Sequence, residues 1–224
     1  MAGVVTVGGS LYGTTLFTEI GNCGYVYELR PPAAGSNAWT GRTIYAFEGT
    51  VDFTSDCNSA APLTAGAGGV LYGTTLWGGT RSCPCGAQGC GTVFQLTPPT
   101  TIGEAWTETV IYTFTGIDGD GVYPATGVVL GKNGVLYGTT AFGGSATSGS
   151  PCSTYASGCG TVFQLTPPAM PGSAWTETIL HSFTGLNGEG SIPGPLTLDG
   201  DGVLYGPTWS GGTAGAGTIF ALKP

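Results

Sequence analysis

The residues that could do chemistry are few. His181 is the single histidine of the chain, and the matching positions of sister repeats hold Tyr45 and Tyr112. A position that exchanges tyrosine for histidine reads as packing. One imidazole in that setting supports neither a His-rich metal centre nor a Ser-His-Asp triad. Paired-carboxylate glycosidase chemistry stays open in principle, but the acids lie mostly in turns and have no partner in a buried run. The expectation is a protein that is not an enzyme, with a glycan-active enzyme as an alternative. Two acidic turns resemble fragments of calcium loops, in which alternate carboxylates present oxygens to a hard cation. Asp199-Gly200-Asp201-Gly202 reads as turn chemistry, because its sister turns carry no carboxylate. Asp118-Gly119-Asp120-Gly121 is matched by Asn187-Gly188-Glu189-Gly190, which keeps oxygen ligands. Asp118 and Asp120 are therefore the candidate calcium ligands, and no other cofactor is expected.

Aromatic and sulfur side chains supply the other candidates. Phe17, Trp77 and Phe142 close the second strand of their repeats, and Trp209 stands one residue earlier in its own. Beside Gly-, Ser- and Thr-rich loops they form a candidate ring for stacking on sugars; the plainer reading is rim packing. Trp39, Trp106 and Trp175 recur at one repeat position and read as anchors between repeats. Seven cysteines, mostly in loops, point to an oxidising compartment. Cys152 and Cys159 bracket a short loop and are expected to pair, a closure that contributes roughly 2–3 kcal/mol. Cys90 is expected to pair with Cys85 or Cys83, and Cys23 with Cys57. A zinc site on Cys83, Cys85 and Cys90 would lack a fourth ligand and CxxC-type spacing.

These residues are held by one sentence of text written about four times. GVLYGTTLWGG followed by GTVFQLTPP returns as GVLYGTTAFGG with GTVFQLTPP, and as GVLYGPTWSGG with GTIFALKP. A divergent first copy reads SLYGTTLFT and GYVYELRPP. Leu11, Leu71, Leu136 and Leu204 mark a period of 60 to 68 residues. Each unit carries four strand signals, the first two joined at Asn133-Gly134 in the clearest copy, a pair that tolerates the positive φ of a tight hairpin. No segment shows helical periodicity. The pattern predicts an all-β chain folded as a β-propeller with about four blades of four antiparallel strands. The last blade lacks its fourth strand, and the hairpin turn argues against a β-solenoid.

Residues 1–224 read as a single repeat domain, with units at approximately 1–55, 56–121, 122–190 and 191–224. In the last unit, Gly217, Thr218, Ile219, Phe220, Ala221 and Leu222 would form an unpaired edge, open to strand addition by another chain. Alternatively the outer strand is dispensable, or the chain is a piece of a longer array. Thirteen acidic residues against five basic ones, a formal charge of −8, leave no basic patch for nucleic acid. That charge also leans toward a monomer. No apolar run reaches the roughly 18 residues of a membrane span. The opening MAGVVTVGGS lacks signal-peptide features, so export implies a leader that has been removed or replaced.

Leu71–Thr75, Gly91–Pro98 and Val110–Gly116, with their copies, resemble the GloVer tandem-repeat family of bacterial exported and surface proteins. The resemblance implies an extracellular or cell-surface location and a propeller-like repeat fold. Family members typically end in a sorting or anchoring signal that this chain does not show, so direct anchoring is not expected. It transfers no catalytic activity. The combined expectation is a non-enzymatic structural or interaction module whose partners are further copies of itself or surface glycans.

Overall fold

The computed structural model describes residues 3–15, 23–47, 61–79, 88–101, 103–145, 150–152, 158–170 and 172–224, and among them the chain is all-β with almost no helix. Unit one contains β1 (Val5–Val7), β2 (Ser10–Thr14), β3 (Tyr25–Arg30) and β4 (Thr40–Ala46). Unit two contains β5 (Thr64–Ala65), β6 (Leu71–Thr75), β7 (Thr92–Thr97) and β8 (Thr107–Thr113). A connecting strand, β9 (Gly121–Val122), leads into unit three. That unit holds β10 (Val129–Leu130), β11 (Leu136–Thr140), β12 (Phe142–Gly143), β13 (Thr161–Thr166) and β14 (Thr176–Ser182). Unit four follows as β15 (Gly190–Pro193), β16 (Thr197–Leu198), β17 (Leu204–Gly211) and β18 (Ile219–Leu222).

Each of the first three units forms a four-stranded antiparallel sheet whose main strands pair in chain order. In unit four, β17 pairs with β16 and β18, and its far half pairs with β15. The β9–β12 pair is the counterpart of β15–β17 one unit earlier. No strand lies beyond β18 among the described residues. Between β10 and β11 the chain reverses at Asn133 (φ 56°) and Gly134 (φ 79°), the left-handed pair that the Asn-Gly sequence favours.

The repeated Gly of LYGTT is fixed by a close approach. Gly73 lies opposite Phe94, and a Cβ at Gly73 would sit 2.4 Å from the end of that ring. The same couple recurs as Gly13 with Tyr27, Gly138 with Phe163 and Gly206 with Phe220. The third-strand aromatic can therefore lie across the second strand of its own sheet, keeping the sheet thin enough to stack.

The core lies between sheets, in three clusters. Tyr12, Val26 and Phe47 of unit one meet Leu71, Phe94 and Leu96 of unit two. Val93 and Phe114 meet Leu136, Phe163 and Leu165 at the next junction. Val162 and Phe183 then meet Leu196 and Leu204, with Phe220 packed alongside. One aromatic contact is repeated at every junction: Phe47–Phe94, Phe114–Phe163 and Phe183–Phe220, with centroids 5.2, 5.1 and 5.1 Å apart. One hydrogen bond is repeated too. The first Thr hydroxyl of LYGTT donates to a carbonyl of the following unit: Thr14 to Ala61 (3.0 Å), Thr74 to Thr126 (2.9 Å), Thr139 to Gly194 (3.0 Å).

Phe163 is fully buried at the central junction, so Phe163→Ala leaves a cavity between two sheets. A loss of about 3–5 kcal/mol in unfolding free energy is expected, read by equilibrium urea denaturation. A loss below ~1 kcal/mol would show that the junction collapses onto the space.

Candidate functional site

Each sheet has a leading face, packed on the unit before it, and a trailing face that the unit after it covers. On the trailing face, Val26, Val93 and Val162 occupy one repeat position and are all 0% exposed, whereas Ile219 at that position in unit four is 84% exposed. Tyr12 is buried at 7%, and its counterpart Tyr205 is 41% exposed. Along β17 the residues alternate buried and exposed, which puts Tyr205, Pro207 and Trp209 on the open side. Trp209, 75% exposed, stands beside a cleft of about 290 Å³ lined with Pro195, Pro207, Thr208 and Ala216. Pro207 replaces the Thr whose hydroxyl ties each earlier unit to the next.

A second cleft, of about 330 Å³, runs between β14 and β18 and is lined by His181, Phe183, Glu189, Ile219 and Phe220 among others. His181 Nε2 pairs with Glu189 Oε1 at 2.7 Å, and its ring stands edge-on to Phe183. Glu189 Oε2 accepts the Thr184 amide at 2.7 Å and also the Thr184 hydroxyl. Burial alone would raise the Glu189 carboxyl, but the Thr184 and His181 hydrogen bonds outweigh it and hold it low. One unit earlier Asp120 does the same for its loop, accepting the Thr115 amide (2.6 Å) and hydroxyl (2.7 Å) and the Gly121 amide (2.6 Å). Asp118, its proposed partner in a calcium site, lies on the exposed turn at φ 54°. No group of three or more His, Cys, Asp or Glu that could hold a metal occurs among the described residues. Asp199 Oδ1 accepts the amides of Asp201 and Val203, closing its own turn.

Carboxyls partly buried at the junctions are what sequence reading missed. Glu108 of β8 accepts the hydroxyl of Tyr45 from unit one at 2.8 Å, while its other oxygen is buried without a partner. Burial raises its pKa against that hydrogen bond. Glu177 is the counterpart on β14, and its Oε1 is likewise buried and unpartnered. It faces Tyr112 and Asp120 of the preceding unit; burial first, then the Asp120 charge, pushes Glu177 up to about 7. The Tyr112 hydroxyl is raised by the same burial and by both carboxyls. Glu28, 4% exposed, has the opposite setting. Burial disfavours its charge, but Arg30, Arg42 and Tyr12 donate to it at 3.1, 2.5 and 3.1 Å and hold it at about 2. A strand-four Glu looks solvent-facing in sequence; the one signal available was its recurrence at Glu108 and Glu177.

The aromatic candidates divide between junctions. Trp77 packs half-buried against the first cluster, and Phe142 packs half-buried against the second, edge-on to Tyr123 at 6.2 Å. Of the described candidates only Trp209 is exposed, and Phe17 lies outside the described residues. Trp106 and Trp175 meet the LYGTT tyrosine of the unit before them, Tyr12–Trp106 at 5.8 Å and Tyr72–Trp175 at 6.2 Å, whereas Trp39 is 49% exposed. Cys152 and Cys159 form a disulfide. Cys23 and Cys90 are also disulfide-bonded, and the Cys57, Cys83 and Cys85 assigned to them lie outside the described residues.

Residues 1–224 match the model of a family described as the Gloeobacter/Verrucomicrobia repeat. None of the curated proteins matches the chain. Among solved structures, it is similar to an X-ray structure of a protein provisionally described as a gluconolactonase, at 16% identity and a TM-score of 0.47. That alignment covers 89% of this chain and 57% of the other, so this chain spans just over half its length.

The two kinds of buried carboxyl set opposite pH limits. Glu177 is raised above its unfolded value of 4.5 to about 7, so its contribution is complete below pH 4.5 and lost as pH rises through 7. Glu28 is depressed to about 2, so its contribution is present above pH 4.5 and lost as pH falls toward 2. Melting temperature against pH should peak at about pH 4.5. Glu177→Gln should flatten the decline between pH 5 and pH 8; a decline as steep as in wild type would reject this assignment.

Proposed function

The chain belongs to the Gloeobacter/Verrucomicrobia repeat family, and from that premise we propose an exported, non-enzymatic interaction module built as an open propeller, its sheets serving as blades. Support for the propeller comes from the junctions. Each sheet packs face to face on the next, and first strands lie side by side, with the Thr64 hydroxyl of β5 donating to the Val128 carbonyl just before β10. The exported location is supported by the Cys152–Cys159 disulfide, a bond that persists in oxidising compartments.

One observation carries the binding role. A repeat position that is 0% exposed in three units is 84% exposed in the fourth, beside Trp209 at 75%. A contiguous apolar face of this kind is the mark of an interaction site. Among the described residues, Asp120 and Glu189 close their own loops, and Glu108 and Glu177 lie at sheet junctions.

Glycan binding is a second reading, favoured by Trp209 itself. A flat exposed indole next to the Pro195–Pro207 cleft suits stacking on a sugar ring. A glycan array with Trp209→Ala as control separates the readings: glycan binding lost in the variant would establish the second, and an empty array favours a protein partner. Incubation with chromogenic glycosides is expected to give no turnover. Turnover abolished by Glu177→Gln would overturn the non-enzymatic reading.

A further inference from the structure

We propose that the open trailing face of unit four receives the leading face of unit one from a second copy of this chain, so that copies stack head to tail. The proposal rests on the reading of the chain as an interaction module and names its partner. A contact of this kind is made three times within the chain, and the second- and third-strand parts of a fourth stand exposed, without the strand-four Phe and with Pro207 in place of the tying Thr. On the trailing half, Tyr205, Trp209 and Ile219 are 41%, 75% and 84% exposed.

The leading half of unit one is open in a matching way. Leu71, Phe94 and Leu96 are 0% exposed on the leading face of unit two. Their counterparts Leu11, Tyr27 and Leu29 in unit one are only half-buried. A Trp partner for Tyr205 is also waiting. Tyr12 meets Trp106 and Tyr72 meets Trp175, whereas Tyr205 and Trp39 are both exposed. Stacking the copies would pair Tyr205 with Trp39 of the second copy in the manner of the two internal pairs.

The electrostatics of the two halves agree. Gly41 of β4 stands where Glu108 and Glu177 stand, so at that position the leading face of unit one has no carboxyl to bury. On the exposed side of β17 and β18, Tyr205, Pro207, Trp209, Ile219 and Ala221 are uncharged, and the one carboxylate beside them, Asp199, hydrogen-bonds the Tyr205 hydroxyl. The strand residues that would meet are uncharged, and Asp199 keeps its hydrogen bonds from the Asp201 and Val203 amides, so closure buries no ion without a partner. The contact is heterologous, since different surfaces meet, and it gives a ring if the rotation closes and a filament if it does not.

Sedimentation velocity across a concentration series tests this directly. Wild type should exceed the 22.4 kDa of one chain, with mass rising as concentration rises. Ile219→Lys spoils only the trailing half, and Trp39→Lys only the leading half. Each variant alone should stay monomeric, with an apparent dissociation constant at least about tenfold weaker. Mixed in equal amounts they should form a 1:1 heterodimer, because each keeps the half that the other lacks. Both side chains are exposed, so unchanged circular-dichroism melts will confirm that the variants fold. A wild type that stays monomeric at the highest concentration overturns the proposal. So does assembly that survives both substitutions, or a mixture that stays monomeric. A monomer that still binds a glycan or another protein removes the head-to-tail contact and leaves the interaction reading standing; enzymatic turnover removes the interaction reading whatever the mass.

Discussion

The ring of Phe94 fills the space over Gly73 in its own sheet and stands edge-on against Phe47 of the sheet before it. That double contact, repeated at every junction, is the constraint on which the remaining structure depends. The aromatic needs a glycine beneath it and a neighbouring sheet above it. A unit in isolation would leave the ring and its flanking leucines in water, so stability resides in the junctions, as in other arrays of stacked repeats. Small residues are the geometric counterpart. Gly and Thr beneath and between the aromatics let sheets approach closely, and the Thr14, Thr74 and Thr139 hydroxyls tie each sheet to backbone of the next.

Much of this was legible in the sequence, because a junction copied several times leaves a visible text. The strand positions of LYGTT and GTVFQLT, the hairpin at Asn133-Gly134 and the short Cys152–Cys159 loop can all be read from local residues. The destination of the side chains is harder to read. Trp209 stands one residue earlier in its repeat than Trp77 and Phe142, which in sequence looks like a small offset. In a strand a one-residue step turns a side chain to the opposite face. It therefore sets Trp209 on the open side of β17, with Trp77 and Phe142 packed into clusters.

The carboxyls were illegible for a different reason. Glu177 meets Asp120 and Tyr112 across a junction, between residues far apart in the chain, and no local pattern announces that meeting. Asp120 stands out in the sequence as a candidate calcium ligand, and in the structure it accepts the Thr115 amide and hydroxyl of its own turn. What sequence cannot supply is that the same residue also places negative charge against a Glu on the following sheet. Glu28 shows how context reverses the outcome. It sits where other units have Gln95 and Gln164, and two arginines of its own unit keep it ionised inside the structure.

Each junction is encoded in two places: one unit specifies the trailing half and its successor the leading half. Inheritance follows from that division. A duplication that copies a whole period, wherever it begins, always brings a complete trailing half up against a complete leading half. Units can thus be gained, lost or shuffled without new compatibility having to arise. A point change at Phe94, by contrast, is answerable both to Gly73 within its unit and to Phe47 in the unit before. Such an array can vary in the number of its units and in its loops, while a change at a junction residue must suit both of the units that meet there.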